Sequence, residues 1–200
     1  MTETDRKRES IIEGAIKRFS HFGINKTTMA EIAEDLSVSK PALYYYFPDK
    51  QSVIIAVAEK IISEYLKDVE NAFLQYPDTE EALIKLLNIR REFFQNYFML
   101  HMGEEYSDAY LKDPGLILIM KQTRQREVSI VAESFRRGME NGQIKKMDAE
   151  KTAALLLDTL MGLRVSMRIE QLPFPDKTSF EELLNKQKDV ARIFLNGIKK

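Results

Sequence analysis

The sequence predicts an all-α protein, and three observations point there. Apolar residues recur three and four apart along most of the 200 residues, the spacing of one helix face. No long stretch alternates apolar and polar residues as a half-buried strand would. Glycine and proline number only 8 and 6, which leaves few breakers to interrupt long helices. A hydrophobic content of 44% supports a core, and a charged fraction of 30% supports a soluble surface. A chain of this length suits one or two small domains.

The first helix is expected over about Arg6 to His21, with Ile11, Ile12, Ala15, Ile16 and Phe19 as its buried stripe. Phe22-Gly23 ends it, and Gly23 suits a left-handed cap. Thr28 then stands three residues before Glu31, the spacing of a capping box in which hydroxyl and carboxylate satisfy each other's backbone donors. Met29, Ile32, Ala33 and Leu36 follow at helical spacing. Ser37-Val38 breaks the run, and Ser39 caps a third helix whose first turn tolerates Pro41. Leu43 and Phe47 face inward together, leaving Lys40, Tyr44, Tyr45, Tyr46 and Lys50 on the other faces. Three tyrosines and two lysines around so short a helix are wasteful for packing and useful for gripping a polyanion.

A fourth helix starts near Asp49 and runs to about Gln75, roughly 25 residues or nearly 40 Å at 1.5 Å per residue. Asp78 and Thr79 cap the next helix, from about Glu80 to His101, which carries Leu83, Leu86, Leu87, Phe94, Tyr97, Phe98 and His101 on one face. A less regular stretch, Met102 to Lys112, leads to a helix opened by Asp113-Pro114 and stopped after Asn141 by Gly142. Asp148 caps a helix from Ala149 to about Glu170 that is apolar nearly all round and so needs cover on both sides. One side belongs to the core and the other to a second subunit, with Gly162 allowing close approach. Pro173 and Pro175 mark a loop before a last helix, about Ser179 to Ile198, with Phe180, Leu183, Leu184, Val190, Ala191, Phe194 and Ile198 as its stripe.

The segment Thr27-Thr28, Ile32-Ala33, Val38-Ser39, Leu43-Tyr44-Tyr45-Tyr46-Phe47 and Lys50 resembles the helix-turn-helix of the TetR family of bacterial transcriptional regulators. The opening helix with Gly23, and the order of helices as a nine-helix layout, resemble that family too. Two positions depart from its pattern. Ser37 stands where the turn usually carries glycine, at a cost on the order of 1 kcal/mol for a left-handed residue. Pro41 stands where a small residue is common. The resemblance implies an all-α fold of about nine helices. An N-terminal three-helix DNA-binding domain (residues 1–50) precedes a helical-bundle domain for ligand binding and dimerisation (residues 51–200).

Carried over by position, the family implies that Thr27, Thr28, Tyr44, Tyr46 and Lys50 hold phosphates. Ser39, Lys40, Pro41, Ala42 and Tyr45 would face the major groove. Phosphate contacts fix register, while lysine donates to guanine acceptors and apolar carbon touches thymine methyls. The net charge of −1 and pI near 6.2 do not advertise DNA binding. What counts is the local patch, and a small positive face on an acidic body is expected.

In the body, Phe94, Tyr97, Phe98, Met102, Tyr106, Met161 and their neighbours form an aromatic and methionine-rich set. Such a set serves as a plain core or as an adaptable binding surface. The family implies an inducer cavity there, for which Thr123 and Arg164 are candidate polar groups, as are Arg124 and Glu127. The expected function is a ligand-responsive, sequence-specific regulator: a repressor released from a palindromic double-stranded operator by a small-molecule effector. It would act as a homodimer through the last two helices. A small-molecule enzyme in a helical bundle, or a DNA-binding regulator controlled by a protein partner, are the alternatives.

No Ser/His/Asp order, glycine-rich phosphate loop or close carboxylate pair in an apolar setting stands out, so no catalytic residue, cofactor or enzyme activity is expected. Without cysteine there is no disulfide or thiolate metal site, and His21 and His101 lie far apart, so no metal is expected. No run approaches the roughly 18 apolar residues of a membrane span. The polar opening Met1-Thr2-Glu3-Thr4-Asp5-Arg6-Lys7-Arg8 lacks a signal peptide's apolar centre, and a cytoplasmic location is expected.

Overall fold

A computed structural model describes residues 2–97, 113–170 and 177–200. Among these residues stand eight helices and no strand: α1 Glu3–Phe22, α2 Met29–Asp35, α3 Lys40–Tyr46, α4 Lys50–Gln75, α5 Thr79–Asn96, α6 Pro114–Glu140, α7 Ala149–Glu170 and α8 Lys177–Ile198. The fold is all-α, with eight helices among the described residues where about nine were expected. The expected end of the fifth helix at His101, the irregular stretch Met102–Lys112 and the loop at Pro173 and Pro175 lie outside the described residues. No described helix is long and apolar enough to cross a membrane. The chain forms two compact units, Met1–Glu64 with Asn96–Gln122, and Tyr65–Gln95 with Thr123–Lys200. Helices α4 and α6 contribute residues to both.

In the first unit, α1 starts three residues before the expected Arg6. The cause is a second capping box: the Thr2 hydroxyl accepts from the Asp5 N–H at 3.1 Å, and the Asp5 carboxylate accepts from the Thr2 N–H at 2.8 Å. At its other end Gly23 has φ 82 and ψ 157, a positive φ with an extended ψ, so the cap is not the left-handed one expected. Only glycine adopts that conformation without strain. Ile11, Ile12, Ala15 and Phe19 of α1 close over Met29, Ile32 and Ala33 of α2, Leu43 and Phe47 at α3, and Val53, Ile54 and Val57 of α4. Each large side chain buried there is worth about 1.5–3 kcal/mol.

Charged contacts knit the same helices. The Arg18 guanidinium on α1 reaches Asp35 at 2.8 Å and Glu31 at 2.9 Å, tying it to both ends of α2. Lys60 on α4 pairs with Glu9 on α1 and with Glu64 at 3.2 Å. Between α2 and α3 the chain makes a full Schellman turn, with the Val38 N–H donating to Ala33 O and the Ser37 N–H to Glu34 O, both at 3.0 Å. Ser37 occupies its left-handed position at φ 52.

The second unit packs Tyr65, Val69 and Phe73 of α4 against Leu83, Leu86 and Leu87 of α5, Val131 and Phe135 of α6, Leu156, Leu157 and Leu160 of α7, and Leu184, Ala191 and Leu195 of α8. Asp78, Asp113 and Asp148 each accept backbone N–H bonds at the starts of α5, α6 and α7, as their positions before those helices suggested. Gly142, at φ 73, ends α6 in the same Schellman geometry that Ser37 completes after α2. The returning chain then lays Ile144 on Gly138, where an added Cβ would sit 2.6 Å from Ile144 Cδ1. Ile144 also bridges to Lys199, so the last residues close over this corner.

Candidate nucleic-acid interface

Helix α3 has seven residues, too few to persist without its neighbours. Leu43 and Phe47, 0% and 2% exposed, anchor it in the core. The Ser39 hydroxyl accepts from the Ala42 N–H at 3.2 Å, and Pro41 sits in the first turn, where its missing N–H costs nothing. With two residues pinned inward, the rest of the surface faces out. Ser39, Lys40, Pro41, Tyr44 and Tyr45 are exposed, Tyr45 at 78%. Ala42 is half-buried. Tyr46 is half-buried against the core and meets the Tyr45 ring edge-to-face at 5.2 Å. Lys50, half-buried, opens α4, whose start is capped by Asp49 accepting from the Ser52 N–H at 2.7 Å.

The two adjacent threonines part company. Thr28 is exposed; its hydroxyl donates to Glu31 at 2.8 Å and accepts from the Glu31 N–H, and the Glu31 carboxylate accepts from the Thr28 N–H at 2.7 Å. Those bonds with Thr28, aided by Arg18, hold the Glu31 carboxyl below its usual range. Thr27 is 1% exposed, and its hydroxyl donates to Gly23 O at 2.9 Å. That side chain ties the α1–α2 turn and presents nothing to solvent. Of the ten expected contact residues, Thr28, Ser39, Lys40, Pro41, Tyr44 and Tyr45 are exposed, Ala42, Tyr46 and Lys50 are half-buried, and Thr27 lies inside.

In the second unit, Phe94, Met161 and Arg164 come together. The Arg164 guanidinium carbon lies 4.2 Å from the Phe94 ring centroid, and its Nη2 approaches Met161 Sδ at 3.3 Å. Phe93 continues the group toward Tyr65. Thr123 is half-buried on α6. Tyr97 belongs to the first unit, where burial, then Glu64, push its phenol up. Phe98, Met102 and Tyr106 lie outside the described residues. Arg124 binds Ala154 O at 2.9 Å and Asp158 at 2.6 Å.

Sequence reasoning named Glu127 and missed its buried partner in this unit, Arg90. Arg90 on α5 donates from Nη2 to Glu127 Oε1 on α6 at 2.7 Å, and from Nε to the Tyr65 hydroxyl at 3.1 Å, while Tyr65 donates to Glu127. Burial pushes the Tyr65 phenol well above its usual range. Burial also opposes the charge on Arg90, but Tyr65 and Glu127 more than offset it. The available signal was position: Arg90 lies three and four residues beyond Leu87 and Leu86, on the apolar stripe.

A capped short helix, pinned by two apolar residues and presenting lysine and tyrosine beside a Schellman turn, defines a helix-turn-helix DNA-binding protein. Residues 11–57 match the family model of the bacterial regulatory proteins of the tetR family. The transcriptional regulator RutR of Escherichia coli K12 is 33% identical over 91 residues, 46% of this chain and 42% of that protein, so the match spans less than half of that relative's length. A transcriptional regulator from Cytophaga hutchinsonii, 29% identical, superposes with a TM-score of 0.85 over 97% of this chain and 99% of that one. SmeT of Stenotrophomonas maltophilia, solved with triclosan, shares the fold at 18% identity and a TM-score of 0.68 over 96% and 91% of the two chains. Residues 11–57 thus form a tetR-family DNA-binding head, and nearly the whole chain shares its fold with a transcriptional regulator.

Proposed function

We propose that this regulator is a homodimeric repressor that leaves a palindromic operator when a small molecule enters its second unit. The observation that carries the DNA part is the exposed surface of α3; on this reading Ser39, Lys40, Pro41, Ala42 and Tyr45 meet base edges while Thr28, Tyr44, Tyr46 and Lys50 hold phosphates. Thr27 is left out because its side chain is buried. The ligand part is supported by the Phe94–Arg164–Met161 group, a cation over an aromatic face beside a soft thioether. The triclosan held by SmeT supports a small apolar effector in this fold.

Dimerisation is supported by exposed apolar side chains on the last two helices: Leu155 and Val165 on α7 are 60% and 47% exposed, and Ile193 on α8 is 72% exposed. Around Gly162 and Gly197 a Cβ would meet nothing, so another helix has room to approach. Two recognition helices must sit about one DNA turn, roughly 34 Å, apart to dock together. Helix α4 carries residues of both units, so a ligand that shifts it alters that spacing. A preference of a few kcal/mol for the displaced form lowers operator occupancy by orders of magnitude.

The test is selection of bound duplexes from a random pool, repeated with candidate metabolites. The expected result is an inverted repeat whose half-sites lie one turn or a multiple apart, lost when the effector is added. Failure to enrich any sequence refutes the operator reading. Enrichment that no small molecule disturbs, but a protein partner does, refutes the ligand reading alone.

A further inference from the structure

The charge pairing in the first unit leaves one cluster unspent. Among the described residues, Arg18 is taken by Asp35 and Glu31, and Lys60 by Glu9 and Glu64. Asp5 is engaged with Thr2 in the capping box. Arg6, Lys7 and Arg8, in consecutive positions near the start of α1, are all exposed and make no ion pair among the described residues. Glu3 is the remaining acid of that turn.

Arg8 has a defined place. Its guanidinium carbon lies 5.1 Å from the centroid of the Phe47 ring, and Phe47 is the residue that ends α3. The start of α1 and the end of the recognition helix are therefore neighbours. Stacking on a ring uses the face of a guanidinium and leaves its in-plane N–H donors open, and those donors match phosphate oxygens. A flexible surface arginine must be ordered when it binds; one already resting on Phe47 loses less freedom.

We propose that Arg8 is a phosphate-positioning residue, a fixed clamp on the DNA backbone beyond the end of α3, with Arg6 and Lys7 extending the same contact along the strand. The proposal deepens the DNA-binding reading and rests on it. Arg8 sets register and orientation and reads no base. It gives the head a second grip on the backbone, separate from Lys50.

The test uses the full chain and a duplex recovered from the selection above, with a scrambled duplex beside it. Binding is followed by anisotropy across a salt series for wild type, Arg8→Gln and Arg8→Lys. Arg8→Gln is expected to weaken both duplexes by a similar factor and to flatten the slope of log K against log salt by about 0.9 per half-site. For a dimer, that narrows the wild-type advantage about tenfold between roughly 50 and 200 mM salt. Arg8→Lys, which keeps the charge and loses the stacked fork, is expected to retain the slope and give up part of the affinity. A merely structural role lowers the active fraction and leaves the slope alone, so an unchanged slope in Arg8→Gln overturns the proposal. Loss confined to the selected duplex overturns it too, by making Arg8 a base reader. Wild-type protein that holds no duplex at all defeats the underlying DNA reading instead.

Discussion

Removing Glu127 should damage the second unit as severely as truncating a buried leucine beside it. The Arg90 and Glu127 side chains are each 8% exposed and joined at 2.7 Å, with Tyr65 bonded to both. Glu127→Ala strands a guanidinium in the core, and breaking a buried pair from one side costs about 3–5 kcal/mol. For a chain of this length that is a fall in Tm of roughly 6–20 °C. Tyr65→Phe deletes one hydroxyl from the group and should cost about 1–3 kcal/mol. Replacing both charges, with Arg90→Met and Glu127→Leu, should recover most of the loss, because no unpaired charge remains. Urea unfolding at one fixed protein concentration measures all three variants against wild type. A cost below about 1 kcal/mol for Glu127→Ala, set against the range for one-sided loss, refutes the reasoning. So does a double variant as unstable as the single one.

Three further outcomes are expected. Ser37→Gly should raise stability by about 0.5–1 kcal/mol, since φ 52 strains serine and not glycine; a lower Tm would contradict this. The Glu31 carboxyl lies below its ordinary 4.5 because Thr28 and then Arg18 favour its charged form. Its contribution is thus complete above 4.5 and is lost as pH falls through the lowered folded value. Thr28→Val should accordingly melt earlier at neutral pH, with the gap closing in acid; melts across pH that stay parallel would exclude the linkage. Leu155→Glu with Ile193→Glu should convert a dimer to monomers in sedimentation while far-ultraviolet circular dichroism stays unchanged, and an intact dimer would move the interface elsewhere.

The recognition motif was legible because its parts are local. A capping box, a turn and a pair of apolar anchors each depend on residues within four positions, so spacing alone specifies them. Thr27 and Thr28 mark the limit. Neighbours of one chemical type, they differ only in which side of the backbone faces the core, and that is decided by how α1 crosses α2. The cap of α1 at Thr2 was readable in the same terms as Thr28, but the polar composition of the segment hid it.

The second unit was legible in its apolar stripes and not in its polar pairs. Arg90 and Glu127 each sit on a buried stripe of their own helix, yet their bond spans 37 residues and depends on how α5 meets α6. Phe94 and Met161 belong to a set defined by residue type, and the structure sets the candidate polar group Arg164 against both, while Tyr97 sits with the first unit.

The pairing of acids within the DNA-binding head bears on how the molecule searches a genome. Asp5, Glu9, Glu31 and Asp35 are engaged inside the fold, so the exposed cations act at short range, while a chain of net charge −1 gains little pull from a distance. Such a regulator should linger briefly on non-cognate sequence and leave it readily, keeping more of a small cellular stock free to find its few true targets.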